Sequence, residues 1–363
     1  MAFGTPLTRM RRSREMGNIS DTITTSATEA EQVVLSVRDL SIDYHLRTHI
    51  LHAVRAVSFD LRKGKTLCLV GESGSGKSVT ARAILRIIDK QARVTSGTIV
   101  LNDGDSQIPI HELDEDSRSI RSIRGRRISL IFQEPMSSLS PVHTIGAQIV
   151  EALQLHRKLD KKAARAETIE LLRQVEIADP ETMIDRYTFE FSGGMRQRAM
   201  IAMALACDPD ILIADEPTTA LDVTTQAEIL DLIKRLQQTR GMAMLLITHD
   251  LGIVAETCQR VGVMYAGNLC EVADVQELFS NPRHPYTQAL LAAVPKFNQE
   301  GQLMSIGGNV PNLVTPPPGC RFHPRCAQAK PACRKRFPTD THLGNNHTVA
   351  CYLYTDQPRA NVP

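Results

Sequence analysis

Apolar positions along the chain follow the periods of both strands and helices, and their order predicts an α/β core. Alternating apolar and polar residues predict β-strands at 33–44 and 56–61. Short continuous apolar runs predict buried strands at 66–70, 211–214 and 244–248, because strands covered on both faces lose their alternation. We therefore expect an α/β fold with a central parallel sheet.

Helical spacing of apolar residues connects these strands. It predicts a helix at 79–88, directly after a buried strand, and a helical insertion with helices at 144–156 and 161–175 that closes with a helix running to residue 206. The remaining predicted elements are a strand at 128–132, a hairpin at 261–272 and a segment at 281–295 that is helical at its centre.

The composition argues against several classes of protein. Acidic and basic residues nearly balance, with a formal net charge of +2, so no strong attraction to nucleic acid is expected. The longest apolar runs, such as 242–247, are far shorter than the roughly 20 residues that cross a bilayer, and the start resembles no secretion signal. Residues 1–32 hold four arginines among serines and threonines with little apolar periodicity, and we expect a disordered extension there.

A complete phosphate-binding pattern follows the predicted strand at 66–70. Glycines let the backbone approach phosphate oxygens closely, a lysine supplies charge to the β and γ phosphates, and a serine hydroxyl can ligate Mg²⁺. The strand before the pattern and the helix after it are the context that such a loop requires. The predicted nucleotide-binding residues here are Gly71, Glu72, Ser73, Gly74, Ser75, Gly76, Lys77, Ser78 and Val79.

An acidic pair, Asp215 and Glu216, follows the predicted strand at 211–214. It lies at the edge where open parallel sheets bind their ligands. Asp215 is expected to hold Mg²⁺ together with Ser78, directly or through water. Glu216 is then free to polarise the water that attacks the γ phosphate, and we predict it to be the catalytic base.

Two further polar side chains end predicted strands and complete the site. Gln133 can reach Mg²⁺ and the attacking water through its amide, while touching the helical insertion. His249 can hydrogen-bond the γ phosphate and respond to its loss. We predict Gln133, His249 and Glu216 as the catalytic set, with Gln133 also a ligand of ATP and of Mg²⁺.

A second motif lies between the loop and the acidic pair. It reads FSGGMRQR and contains Ser192, Gly193 and Gly194. Together with the phosphate-binding loop, Gln133, the strand ILIADEP and His249, this motif resembles the ABC ATPase family over about residues 33–272. The resemblance also includes the residues of the family's D-loop, which are Ala220, Leu221 and Asp222.

The resemblance implies an ABC ATPase domain at 33–280, with a RecA-like core, an antiparallel β subdomain and a helical subdomain at about 134–206. It implies a head-to-tail dimer that holds two ATP molecules, each between the loop of one subunit and the signature of the other. Ser192, Gly193 and Gly194 would then bind the partner's ATP. Tyr44 would stack on the adenine.

A closer resemblance lies outside the shared motifs. The segments NPRHPYTQALLAAVP and PPPGCRFHPRC, and Met195 in the signature, look like the ATP-binding subunit of bacterial dipeptide and oligopeptide importers. Ser140 stands where that subgroup commonly has Asn, near the expected contact with the membrane subunit. A soluble ABC protein acting on nucleic acid is the rival interpretation, but the chain has neither tandem cassettes nor long heptad repeats.

This closer resemblance implies a peripheral subunit on the cytoplasmic face of the bacterial inner membrane. Its partners would be a second ATPase, non-identical but related, two membrane permeases and, indirectly, an external solute-binding protein. No nucleic acid partner is expected. Dipeptides, longer peptides, opines and nickel chelates all remain open as substrates, because the permeases and the binding protein select the solute.

Four of the eight cysteines cluster in a C-terminal extension at 281–363, separated by five, six and seventeen residues. Disulfides are disfavoured in the cytosol, so a metal site is the better interpretation. Four thiolates can hold a [4Fe-4S] cluster, whereas structural zinc usually uses closer cysteine pairs. The importer subgroup carries such a cluster in this tail, with Zn²⁺ and uncoordinated thiols as the alternatives. The candidate ligands are Cys320, Cys326, Cys333 and Cys351.

The other four cysteines lie outside this extension, and a group of basic residues lies within it. The remaining cysteines, at 68, 207, 258 and 270, lie in apolar contexts and are expected to be buried small hydrophobes. A basic patch near the cluster could offset thiolate charge, contact a partner or only be solvated, and the tail could also act as a redox-sensing module. The patch comprises Arg321, Arg325, Arg334, Lys335 and Arg336.

Overall fold

The computed structural model of this chain describes residues 32–104, 106–134, 138–219, 221–294 and 306–357, together with Met1 and Arg359. The predicted disordered extension therefore lies outside the described residues except at its two ends. Ala220 of the predicted D-loop also lies outside them. The described residues from 32 onwards belong to one compact unit.

Four strands form an antiparallel sheet in the order β2-β1-β4-β5 within the described residues. The prediction missed β4 and β5, because their solvent-facing positions are mixed and no run of alternating residues marks them. They are strands because β4 pairs along β1, with Leu35 opposite Leu101 and Tyr44 opposite Ala92. The strands are β1 (Val33–His45), β2 (Ile50–Arg62), β4 (Ala92–Asp103) and β5 (Ser106–Pro109).

The second sheet carries the predicted parallel core. Every residue of its strands β3, β7 and β8, whose bounds follow, is buried, which is why the sequence showed them as continuous apolar runs. Strands β6, β7, β8, β3 and β9 run parallel in that order, and β10, β12 and β11 add antiparallel pairs beyond β9. The bounds are β3 (Thr66–Val70), β6 (Ile128–Ile131), β7 (Ile211–Asp215), β8 (Ala243–Ile247), β9 (Arg260–Tyr265), β10 (Asn268–Asp274), β11 (Thr341–His342) and β12 (Thr348–Val349).

Helices cover the sheets and fill the predicted insertion. The helix predicted at 79–88 ends at Ile84, because Arg86 has a positive φ of 55° that a right-handed helix does not accommodate. The two helices predicted at 144–156 and 161–175 begin within one residue of their predicted starts, because each has a side-chain N-cap. The side chain of Thr144 accepts a hydrogen bond from the Ala147 amide, and that of Asp160 accepts one from the Ala163 amide. The helices are α1 (Lys77–Ile84), α2 (Arg118–Ile123), α3 (Ile145–Arg157), α4 (Lys161–Gln174), α5 (Pro180–Met183), α6 (Gly193–Leu205), α7 (Val223–Arg240), α8 (Leu251–Thr257), α9 (Val275–Ser280) and α10 (Pro285–Ala292).

The C-terminal residues pack onto the parallel sheet. Strand β12 pairs with β10, and Cys320, Phe322 and Tyr352 lie in the same hydrophobic cluster as β9. Glu271 on β10 is 1% exposed, and its carboxylate accepts a hydrogen bond from His347 Nε2 at 2.7 Å. The tail therefore completes one edge of the sheet. The predicted boundary between residues 280 and 281 remains a prediction.

Candidate functional site

The loop at residues 71–78 joins β3 to α1 and depends on its glycines. Gly71 has a φ of 151°, and a Cβ there would collide with the carbonyl oxygen of Met264 on β9. Gly76 has a φ of 99°, and its Cβ would lie 2.8 Å from the carbonyl oxygen of Ala53. Only glycine fits this close approach, so the sequence pattern and the geometry agree on a tight loop at the start of a helix.

Lys77 is enclosed by this loop. Its Nζ donates to the carbonyl oxygens of Gly71 at 2.7 Å and Glu72 at 3.2 Å. The residue is 5% exposed. Burial lowers the pKa of the lysine, while the charges of Glu216 and Asp215 act in the opposite direction. The ammonium therefore lies inside the loop, beside both acidic residues that the sequence analysis selected.

Ser78 and Asp215 are in direct contact. The Ser78 hydroxyl donates to Asp215 Oδ1 at 2.8 Å, although the residues are 137 positions apart. Burial raises the pKa of the Asp215 carboxyl. A hydroxyl beside a carboxylate is a donor set of the oxygen type that Mg²⁺ prefers. These two residues therefore fit the metal that the sequence predicted.

Glu216 is the meeting point of the other predicted polar residues. Its Oε2 accepts from Gln133 Nε2 at 3.0 Å, and its Oε1 lies 3.3 Å from His249 Nδ1. Its backbone has a positive φ of 47°. Sequence reasoning missed Thr219, whose hydroxyl donates to Oε2 at 3.0 Å. The available signal was its place three residues after the glutamate, in a turn.

Tyr44 is the last residue but one of β1 and packs against the hydrophobic core beneath the antiparallel sheet. Its hydroxyl donates to Asp89 Oδ2 at 3.0 Å. Burial, followed by that hydrogen bond, raises the pKa of the phenol to about 12. The hydroxyl is therefore anchored, and stacking of the ring on an adenine remains a prediction.

The signature residues begin helix α6 away from these contacts. Ser192 accepts from the Met195 amide at 3.3 Å, which caps the helix, and it is exposed with Gly193. None of the hydrogen bonds of Lys77 and Glu216 given above involves these residues. The signature thus presents a helix N-terminus, with its partial positive charge, to the surroundings of the chain.

The four tail cysteines line one small cavity of about 10 Å³. Gly319, with a φ of 73°, lets two of their segments meet, and the Cys320 amide donates to the Cys333 carbonyl at 2.9 Å. Burial raises the pKa of Cys320 to about 12 and that of Cys351 to about 11. Among the described residues, no group of three or more His, Cys, Asp or Glu is arranged to hold a metal ion. Four thiols are a donor set of the kind that binds a metal or an iron–sulfur cluster.

The predicted basic patch divides into two parts. Arg321 donates to the carbonyl oxygens of Ala266 and His52, and Arg325 pairs with Glu72. Both side chains point into the protein. The others, Arg334, Lys335 and Arg336, are exposed. The cysteines outside the tail, at 68, 207, 258 and 270, are buried as predicted.

A glycine loop that encloses a lysine between a strand and a helix, next to a buried aspartate and a glutamate, defines a P-loop nucleotide-binding protein. Residues 54–219 match the family described as ABC transporter, and residues 270–333 match the one described as oligopeptide/dipeptide transporter, C-terminal region. None of the helices within the described ranges combines the length and the apolar character that a bilayer crossing requires.

Relatives match nearly the whole chain. A probable peptide ABC transporter ATP-binding protein, y4tR, of Sinorhizobium fredii is 49% identical, covering 88% of this chain and 95% of the relative. The dipeptide transport ATP-binding protein DppD of Bacillus subtilis is 48% identical, with 88% and 94% covered. The dimeric ATP-binding cassette MJ0796, solved with ADP and Pi, matches with a TM-score of 0.59 at 26% identity, over 66% of this chain and 98% of that one.

This chain belongs to the ABC transporter ATP-binding proteins and carries the C-terminal region of the oligopeptide/dipeptide transporters. It is an ATPase of that family. The fold class predicted from the sequence is confirmed for the cassette.

Proposed function

We propose that the chain hydrolyses ATP to drive an importer of dipeptides or oligopeptides across the cytoplasmic membrane. The observation that carries the ATP chemistry is the convergence of Gln133, Thr219 and His249 on Glu216, beside the Ser78 and Asp215 pair. The peptide substrate is supported by the names of the relatives, which are peptide and dipeptide transport proteins.

In this proposal the loop at 71–78 cradles the ATP phosphates. Lys77 exchanges its two carbonyl partners for the β and γ phosphate oxygens, since an ammonium gains more from anionic acceptors. Ser78, Asp215 and Gln133 would hold Mg²⁺, and the metal would supply positive charge to offset that of the phosphates. Tyr44 is proposed to contact the adenine. The remaining loop residues from Glu72 to Val79 surround the phosphates.

Glu216 is proposed as the base that takes a proton from the attacking water. Two donors, Gln133 and Thr219, share Oε2, so Oε1 is the oxygen that faces the exposed His249. A carboxylate held on one oxygen keeps the other oriented for proton transfer. His249 has a side chain that is 68% exposed, and is proposed to turn from Glu216 towards the γ phosphate once ATP is bound.

The proposed working unit contains a second, related ATPase, two permeases and an external solute-binding protein. Ser192, Gly193 and Gly194 would contact the second subunit's ATP, which the position of these residues at a helix N-terminus and the exposure of Ser192 and Gly193 allow. The described surface between Gln133 and Gly146 is proposed to contact a permease at the cytoplasmic face of the membrane. Val142, 73% exposed there, is an apolar side chain suited to such a contact.

Uptake in cells tests the importer. A strain that lacks this chain is expected to lose uptake of a labelled dipeptide, and a plasmid copy of the wild-type chain is expected to restore it. Competition by unlabelled dipeptides, longer peptides, an opine and a nickel chelate identifies the solute class. Unchanged uptake of every labelled peptide in the deletion strain, with loss of nickel or opine uptake, would replace the peptide assignment with the corresponding solute.

The four tail cysteines are proposed to hold a [4Fe-4S] cluster, because all four line one cavity and thiolates are the ligands of such clusters. Protein purified without oxygen is expected to be brown and to contain iron. Cys326→Ser is expected to lose both signals. Cys207→Ser, a buried cysteine in the helical core, is the matched control and should keep them. A colourless wild-type protein with bound zinc would decide for Zn²⁺, and a metal-free one for uncoordinated thiols.

A further inference from the structure

Arg325, in the cysteine-bearing tail, forms a bidentate ion pair with a residue of the phosphate-binding loop. Its Nη1 donates to Glu72 Oε2 at 2.7 Å and its Nη2 to Oε1 at 3.1 Å. The arginine side chain is 4% exposed and that of Glu72 27%. Two parallel charge-assisted bonds fix both the distance and the orientation of the pair. The pair thus joins segments 253 residues apart.

The remaining donors of Arg325 are also engaged. Its Nε donates to the Gly307 carbonyl at 2.9 Å, Nη2 to that of Ile306 at 3.1 Å, and Nη1 to the Tyr265 hydroxyl at 3.2 Å. The guanidinium carbon lies 5.6 Å from the centre of the Tyr265 ring, within the range of a cation–π contact. Arg325 is therefore anchored to Gly307, Ile306 and Tyr265 in addition to its pair with Glu72.

A second contact holds the backbone of the same loop residue. The Glu72 amide donates to the Tyr286 hydroxyl at 3.0 Å, and Tyr286 is fully buried against Phe322, with 5.3 Å between their ring centres. The Glu72 carbonyl, in turn, accepts from Lys77 Nζ. Side chain, amide and carbonyl of Glu72 thus link the tail to the lysine that the proposed function places on the phosphates.

Arg325 lies between two of the tail cysteines, so its contact with Glu72 connects the phosphate-binding loop to the cysteine segment. Arg325 ends a short 3₁₀ turn, His323–Arg325, between Cys320 and Cys326. Both cysteines line the cavity described above. A ligand or modification that moves the thiols therefore moves the ends of the turn that carries the guanidinium.

We propose that Arg325 is a positioning residue for the phosphate-binding loop, and that through Glu72 it makes nucleotide affinity depend on the state of the cysteine segment at 320–333. This inference rests on the proposed ATP site. Arg325 takes no part in the chemistry, because its hydrogen bonds go to Glu72, Tyr265, Ile306 and Gly307 and to none of the three proposed catalytic residues. Its effect should appear in binding and in KM, with little change in kcat, because the loop is shifted but the base is untouched.

The test measures binding of a fluorescent ATP analogue and steady-state ATPase kinetics on the full chain. Arg325→Met is expected to raise the Kd by about tenfold and to leave kcat within about twofold. Arg325→Lys keeps the positive charge but loses the planar, bidentate guanidinium, so its affinity for the ATP analogue should lie between those of Arg325→Met and wild type. Arg336→Met, at an exposed arginine of the same tail, is the matched control and should match wild type.

Double variants show whether Arg325 and Cys326 affect nucleotide affinity through Glu72 or through a general loss of tail structure. Glu72→Gln alone should weaken binding, and adding Arg325→Met should then change Kd by less than about twofold, because the pair is already lost. Cys326→Ser should raise Kd in the wild-type background and not in Glu72→Gln. An equal rise in both backgrounds, or none in either, would overturn the dependence on the cysteine segment.

The outcomes also separate this inference from the function beneath it. If the wild-type protein binds no ATP analogue, the proposed ATP site is wrong. If the wild type binds and both Arg325→Met and Glu72→Gln bind with the same Kd, only the positioning role of Arg325 is wrong. If Arg325→Met does not fold, Arg325→Lys and Glu72→Gln still decide, since each leaves a side chain of similar size in place.

Discussion

Replacement of Glu216 with glutamine is expected to lower ATP turnover by about 100- to 1,000-fold, which is the contribution of a positioned general base. The amide has almost the same shape as the carboxylate and can still accept from the Thr219 hydroxyl, but it cannot take a proton from water. ATP should therefore bind and remain bound, and the closed dimer should accumulate. The measurement combines phosphate release with the amount of unhydrolysed ATP that stays with the protein after gel filtration.

A matched control distinguishes the base from any loss of one acidic charge. Glu151→Gln makes the same chemical change at an exposed site on α3 and is expected to keep wild-type turnover. Normal phosphate release by Glu216→Gln would rule out Glu216 as the base. His249 would then be the next residue to replace, because its Nδ1 lies 3.3 Å from Oε1.

Replacement of Lys77 with alanine is expected to weaken ATP binding by at least about 100-fold, since charge-assisted bonds to two phosphates are lost. The same change leaves the Gly71 and Glu72 carbonyls without their ammonium donor, so the loop itself should relax. Calorimetric titration with ATP and Mg²⁺ measures the effect. Unlike Glu216→Gln, this variant should fail before hydrolysis, with no trapped nucleotide.

Lys63→Ala removes an exposed lysine from the turn before β3 and serves as the control for lost charge. It is expected to bind ATP like wild type. A Lys77→Ala protein that binds ATP within about threefold of wild type would contradict the assignment of the loop, since a change that small is worth under 1 kcal/mol. Melting curves for both variants show whether the loop change has spread into the fold.

Burial explains which parts of the fold the sequence could predict. Strands β3, β7 and β8 are apolar at almost every position because they are covered on both faces, and their predicted positions agree with the structure to within one residue. Strand β4 was missed, since its buried and exposed positions follow no regular alternation. Its strand character comes from pairing with β1, which is a property of the whole sheet.

In the candidate site too, residues that belong to a local sequence motif could be predicted, and contacts between distant segments could not. The sequence brought together Lys77, Ser78 and Asp215 because phosphate and metal chemistry needs those residue types at that spacing, and the structure places Ser78 in contact with Asp215; their roles towards ATP and Mg²⁺ stay predictions. Arg325 was predicted only as one member of a basic patch. Nothing local marks its pairing with Glu72, because the two residues meet only after the tail has packed on β9 and α10. Long-range contacts of this kind depend on the folded structure and leave no periodic signal in the sequence.

The closure of the sheet edge by β12 sets a limit on how the molecule can be divided. A chain cut before Thr341 would leave Glu271 and Val272 of β10 without their partners on β12 and would remove the imidazole that hydrogen-bonds the buried Glu271. Unpaired strand edges recruit other chains, and a buried carboxylate that has lost a donor destabilises the fold. We therefore expect a chain cut before Thr341 to be less stable and more prone to self-association than the full chain.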